Sequence, residues 1–148
     1  MHGVTYDGRQ VWFASGDKLN AFDPSTGKTM RSIDVPAHAG TAFDGRFLFQ
    51  IAEDRIQKID PETGAILRTI QSNRFVTGVT WVDGELWHGT WEGDESDLRR
   101  IDPRTGEVLE QLDMPAGVGV SGLECDGRDQ FFCGGGTSGK VRAVRRPK

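Results

Sequence analysis

The stretch Thr80–Gly106, TWVDGELWHGTWEGDESDLRRIDPRTG, is the fullest copy of a unit that this 148-residue chain writes about four times. Two phrases inside it recur. An aromatic or apolar residue precedes Asp-Gly at Tyr6-Asp7-Gly8, Phe43-Asp44-Gly45, Val82-Asp83-Gly84 and Cys125-Asp126-Gly127, with spacings of 37, 39 and 43 residues. Asp-Pro-x-Thr-Gly stands at Asp23–Gly27, Asp60–Gly64 and Asp102–Gly106, 37 and 42 residues apart. A fixed period near 40 residues marks a repeat architecture, and it outranks any single-motif reading.

Working outward from that unit, one period reads as four short strands. In the first copy these are Gly3–Tyr6, Val11–Ser15, Lys18–Phe22 and Thr29–Asp34, the last ended by Pro36. Asp7-Gly8 supplies a tight turn, and Asp23-Pro24-Ser25-Thr26-Gly27 a second one in which Pro presets φ and Gly admits positive φ. Four strands per repeat of about 40 residues is one propeller blade. Gly and Pro punctuate every window of about ten residues, which excludes a helical repeat.

The expected fold is therefore all-β, a propeller of about four four-stranded antiparallel blades in a single domain spanning residues 1–148. The units run about 2–36, 39–71, 77–113 and 121–148, and the last lacks its fourth strand. One open sheet edge remains at each end, and unpaired strand groups template pairing with another chain. Three outcomes are open: a tight four-blade ring, a larger ring of several chains, or a piece of a longer propeller. Association into a homo-oligomer is the expected one, because apolar flanks would otherwise stay wet.

Composition narrows the partners. The formal charge is −4, which argues against a nucleic-acid surface, and the basic stretch Arg142–Lys148 reads as a solvated terminus. No apolar run approaches the ~20 residues of a membrane span, no signal pattern opens the chain, and cytoplasmic residence is the expectation. The two cysteines should not pair: in a hairpin centred on Gly127-Arg128, Cys125 faces about Gln130 and Cys133 faces about Gly122. No zinc pattern and no cofactor is expected.

Function should sit on one face. In a propeller the turns between strands one and two and between three and four share a face, here the nearly constant Asp-Gly and Asp-Pro turns. The loops between strands two and three, with the blade connectors, form the other face and vary: Gly16-Asp17, Ala52–Asp54, Thr90–Asp97 and Gly134–Gly139. Variable loops on a repeated scaffold are where binding is built. That face gathers His2, His38, Glu53, Arg74, Thr90, Trp91, Glu92, Asp94, Glu95 and Asp97. The expected ligand is a small molecule or peptide, with Trp91 as a stacking surface and His88, Arg74, Glu92, Glu53 and His38 as polar contacts.

His88 stands in strand two at the register of Phe13, Gln50 and Cys133, and a polar residue there suggests the central channel. With Glu92 or Glu124 it would form the candidate acid/base pair. His2, His38 and His88 are the candidate metal ligands if ring closure brings them to the axis. The acidic run Trp91–Asp97 lacks the Gly turn and final Glu of an EF-hand loop. Gly134–Lys140 lacks the order of a phosphate loop and precedes a strand, so it reads as a flexible loop.

Through Gly84-Glu85-Leu86-Trp87, Trp91 and Arg100–Gly106, the chain resembles the glutamine cyclotransferase family, five-bladed propellers that include the plant-type glutaminyl cyclases. The Val11-Trp12-Phe13 strand after Asp7-Gly8 and the Ile-Asp-Pro-x-Thr-Gly phrase also resemble the streptogramin B lyases, which are seven-bladed. The first resemblance implies cyclisation of an N-terminal glutamine. Phe13 stands where that family carries Glu, Gly89 where it carries Asn, and Trp91 is retained. The second implies a metal-assisted lyase with a His/Glu set, for which His88 and Glu92 are counterparts by type. A third possibility is a self-assembling propeller fragment with a structural role only.

Overall fold

The turn phrases work as hydrogen-bonded punctuation in the computed structural model, which describes residues 2–147. In three Asp-Gly copies the carboxylate caps the loop: Asp7 Oδ1 accepts from the N–H groups of Arg9 and Gln10, Asp44 from Arg46 and Phe47, and Asp126 from Arg128 and Gln130. The copy at Asp83 differs, because Asp83 and Gly84 both take positive φ, 50° and 76°, and close a two-residue hairpin turn. Each Asp-Pro-x-Thr-Gly phrase repeats one geometry. The Asp23, Asp60 and Asp102 carboxylates accept from the N–H two residues on, and Gly27, Gly64 and Gly106 donate back to the Asp carbonyls. The Arg104 N–H is the main reason the Asp102 carboxyl lies below its ordinary range.

Between these turns lie four sheets. Blade 1 is β1 (Gly3–Tyr6), β2 (Val11–Ala14), β3 (Gly16–Phe22) and β4 (Thr29–Ala37). Blade 2 is β5 (Thr41–Phe43), β6 (Leu48–Ala52), β7 (Arg55–Ile59) and β8 (Ile66–Gln71). Blade 3 is β9 (Val76–Val82), β10 (Glu85–Thr90), β11 (Asp97–Ile101) and β12 (Val108–Asp113). Blade 4 is β13 (Gly122–Cys125), β14 (Gln130–Gly134) and β15 (Val141–Arg145), with a short 3₁₀ turn, Gly136–Ser138, between the last two. Every pairing is antiparallel between chain neighbours, so the fold is a four-blade β-propeller whose last blade has three strands.

The core is three interblade layers. Trp12, Ala14, Leu19, Ala21 and Ile33 of blade 1 pack on Leu48 and Ile59 of blade 2. Phe49, Ile51 and Ile56 of blade 2 meet Val79, Leu86 and Ile101 of blade 3, with Phe49 and Trp81 stacked at 5.8 Å. Trp87 and Leu98 of blade 3 meet Phe131 and Cys133 of blade 4, the two aromatic rings 4.8 Å apart. Strand alternation thus sends one face of each blade to the preceding blade and the other to the following blade. Among the described residues, no packed layer joins blade 4 back to blade 1.

Several expectations need correction. β4 runs through Pro36 to Ala37 rather than ending before it, because β4 is an outermost strand whose free edge tolerates a missing N–H. β3 begins at Gly16, since a bulge between Gly16 and Lys18 lets it pair two residues earlier. The Cys125 hairpin is one residue out of the expected register: Cys125 faces Phe131 and Cys133 faces Leu123, because the turn spans one residue more. Both thiols are free, and burial pushes the Cys133 thiol up. The basic stretch is not simply solvated. Arg145 ends β15, and Arg146 Nη2 donates to Asp83 Oδ2 at 2.7 Å, tying blade 4 to the blade 3 turn; Lys148 lies outside the described residues.

Candidate functional site

The loops assigned to the variable face do meet the blade connectors. Ser72 N–H donates to Asp54 O, Val76 N–H to Glu53 O, Trp91 N–H to Phe75 O, and Gly117 N–H to Asp94 O. Between blades 2 and 3 this lacing leaves an open cleft of about 320 Å³ lined by Glu53, Asp54, Ser72, Asn73, Arg74, Phe75 and Glu92. Glu53 takes φ of 56° to turn the strand two-to-three loop of blade 2. Glu92 and Glu95 exchange backbone hydrogen bonds around Gly93-Asp94, which folds the acidic run of blade 3 into a tight turn.

Beneath the cleft lies a buried charge network. Asp97, fully buried on β11, accepts from Thr90 Oγ1 at 2.8 Å, Arg99 Nε at 2.9 Å and Nη2 at 3.1 Å, and Arg74 Nη1 at 3.2 Å. Arg99 Nη1 donates to Asn73 Oδ1 at 2.7 Å, and Arg74 Nη2 to Glu95 Oε2 at 3.1 Å. Two guanidinium groups are thereby balanced by one buried and one exposed carboxylate. The arrangement is a rigid floor: a buried carboxylate with four side-chain donors has no capacity left for a ligand.

A second cavity, of about 210 Å³, shares Ser72 and Asn73 with the cleft and runs down between the blades past Ile56, Ile70, His88, Arg99 and Ile101. His88 faces this cavity and blade 2, not the central channel. The reason is its register, because strand-two residues of this parity all point to the preceding blade. Burial lowers the His88 pKa to about 4, with the Arg99 charge adding to the effect, although Nδ1 lies 3.2 Å from Gly89 O. His88 is a neutral imidazole at physiological pH.

The structure therefore collects Glu53, Arg74 and Glu92 at one cleft, with His88 in the adjoining cavity. The other predicted residues lie elsewhere. His38 lines a separate cleft between blades 1 and 2 with Asp17, Asp34 and Arg55. His2 and Glu124 line the axial cavity, and Glu124 accepts from Thr80 Oγ1 at 2.6 Å. His88 thus pairs with neither Glu92 nor Glu124, and His2, His38 and His88 open into three different cavities. Among the described residues no group of three or more potential ligands is placed to hold a metal ion. Trp91 turns away from the cleft: its ring lies against Gly119 and Gly136, where an added Cβ would come within 2.5 Å of it, and its Nε1 donates to Gly93 O. The bare backbone of the glycine-rich loop is occupied by Trp91.

Sequence reasoning missed Asn73, Phe75 and Arg99. Arg99 had a usable signal, since Asn20, Gln57 and Arg99 each stand three residues before an Asp-Pro turn and all three are buried polar residues of a third strand. Asn73 and Phe75 flank Arg74 on the connector between blades 2 and 3.

No protein family profile matches the chain, and no curated protein matches it. Solved structures do. The chain is similar to BamB from Moraxella catarrhalis (TM-score 0.72, 15% identity, 96% of this chain and 42% of that one). It is similar to Kuenenia stuttgartiensis hydrazine synthase (TM-score 0.73, 17% identity, 97% and 45%). It is also similar to the Myceliophteria thermophila Cps50 (Swd1) β-propeller domain (TM-score 0.74, 17% identity, 99% and 52%). At these identities the likeness concerns the propeller fold. The chain spans about half the length of these structures.

Proposed function

We propose that this domain is a binding module that takes a peptide segment or small molecule carrying a positive charge, at the cleft between blades 2 and 3. The observation that carries this reading is the cleft's charge. Glu53, Asp54 and Glu92 line it and, among the described residues, make no salt bridge, whereas the Arg74 cation is held by Asp97 and Glu95. Phe75, 48% exposed, adds an aromatic face beside the carboxylates, a combination that favours an ammonium or guanidinium group. Rim carboxylates in water supply selectivity and salt sensitivity more than raw affinity.

The test is calorimetric titration with the tripeptides Gly-Arg-Gly and Gly-Glu-Gly. Binding of the first alone, weakened by added salt and by the double change Glu53→Gln and Glu92→Gln, supports the reading. Equal binding of both, or of neither, removes it.

The catalytic alternative is a cyclotransferase-like or lyase-like activity, which rests on the resemblance in the third repeat. Its base would be His88, but a pKa of about 4 makes that imidazole a weak base near neutral pH. Turnover of a glutamine-initiated peptide, abolished by His88→Gln, would favour it over simple binding.

A further inference from the structure

A glycine stands at or beside the start of the innermost strand of every blade (Gly3, Gly40, Gly78 and Gly122), and these glycines form a chain of contacts about the axis. A Cβ on Gly3 would lie 2.5 Å from Ala39 O and 2.7 Å from Gly40 Cα. One on Gly40 would lie 3.1 Å from Val79 N and 3.3 Å from Gly78 Cα, and one on Gly78 would lie 2.5 Å from Leu123 N. Each glycine is the seat on which the backbone of the next blade rests. Gly122, the fourth, meets nothing within 4 Å among the described residues. Its seat is open.

The second strands repeat the pattern. Trp12, Phe49, Trp87 and Phe132 are equivalent, opposite Thr5, Ala42, Thr80 and Glu124 on the first strands. Trp12, Phe49 and Trp87 are fully buried against the following blade, whereas Phe132 is 39% exposed. What they pack on is also repeated: Trp12 on Phe43 and Leu48, Phe49 on Trp81 and Leu86, Trp87 on Cys125 and Phe131. The corresponding pair in blade 1 is Tyr6 and Val11, and Tyr6 is 59% exposed. Both halves of one more interblade junction are thus present, on blades 1 and 4, without a partner among the described residues.

We propose that a second copy of this chain supplies the partner of each half, blade 4 of each copy docking on blade 1 of the other to close an eight-blade ring of two chains. Gly122 would seat the partner backbone at the start of its first strand, and Phe132 would enter the partner's Tyr6–Val11 pocket. The contact continues the three junctions already built within the chain. It is head-to-tail, and two copies close it without leaving an edge for a fibre. Eight blades lie at the upper end of the usual range.

The experiment is light scattering coupled to size exclusion on the full chain, over a dilution series. The expected mass is twice the 16.3 kDa of one chain. Gly122→Leu places a side chain in space that a single chain leaves empty, so it should keep the far-ultraviolet dichroism and return the mass to one chain. Phe132→Asp gives an independent arm, with dimer dissociation strengthened about thirtyfold or more, the change expected for an interface anchor. A folded wild-type chain that stays single at every concentration overturns the proposal, as does an assembly other than two copies. A dimer that survives both substitutions overturns it equally. If Gly122→Leu does not fold, the Phe132→Asp arm decides.

Discussion

Arg99 clasps Asp97 two residues earlier on the same strand, Nε 2.9 Å from Oδ1 and Nη2 3.1 Å from Oδ2. Neither side chain reaches water to any extent, and Thr90 and Arg74 complete the carboxylate's partners. A buried pair is weak evidence of net stabilisation, but removing one partner strands the other charge. Asp97→Ala is therefore expected to lower unfolding free energy by about 3–5 kcal/mol. Asp17→Ala, exposed at the bulge that opens β3, should stay within about 0.5 kcal/mol. Urea denaturation of the two variants measures the difference. Equal effects would mean that the network is not the floor of the cleft described above.

His88 gives the fold a pH dependence of defined sign. Its folded pKa is about 4 against an ordinary value of 6.5, because burial and the Arg99 charge disfavour the imidazolium, with Asp97 acting in the opposite direction. The unfolded chain takes up this proton as pH falls through 6.5, and the folded chain only near 4. Stability is full above pH 6.5, declines from there to about pH 4, and loses no more from this residue below that. The loss is on the order of 3 kcal/mol from the width of the window. His88→Gln should flatten the difference in stability between pH 7 and pH 4.5 relative to the unaltered chain. An unchanged slope would place the proton elsewhere.

These two residues also mark what was legible in the chain. The period was readable because Asp60-Pro61-Glu62-Thr63-Gly64 and its copies encode turn geometry locally, through an Asp acceptor, a Pro φ and a Gly at positive φ. The direction of His88 was not readable in the same way. Alternation along a strand says that Trp87 and His88 point oppositely, but which face meets which neighbour depends on how blades stack. Pro36 misled for a related reason, since a strand-breaking residue is harmless on an outermost strand. The cleft was only half legible: loop variability pointed to Glu53 and Glu92, while Phe75, beside Arg74 on the blade 2–3 connector, is an apolar residue with no polar signal to mark it.

Trp91 packs on the glycine-rich loop. Its ring fills the space beside Gly119 and Gly136, leaving it 36% exposed. Trp91→Ala should cost about 1–2 kcal/mol from the apolar area returned to water. It should also speed hydrogen exchange in residues 134–140 while leaving tripeptide binding at the Glu53–Glu92 cleft intact. Loss of binding with unchanged loop protection would restore Trp91 to the ligand surface.

The axial glycines differ in how much they can yield. A Cβ at Gly78 would press at 2.5 Å on the Leu123 backbone nitrogen, which belongs to the strand that carries blade 4 and has no rotamer to change. At Gly40 the nearest atoms stand at 3.1 and 3.3 Å, close enough for a shift of a few tenths of an ångström to relieve. Gly78→Ala should therefore cost about 1–3 kcal/mol, the range for overpacking, and Gly40→Ala less. The strain at Gly78 acts on the junction between blades 3 and 4, where Trp87 is fully buried against Phe131. Tryptophan emission of Gly78→Ala should shift to the red as that layer loosens, and Gly40→Ala should leave it in place. The reverse order would mean that blade 4 is free to move and that Gly78 is not its seat.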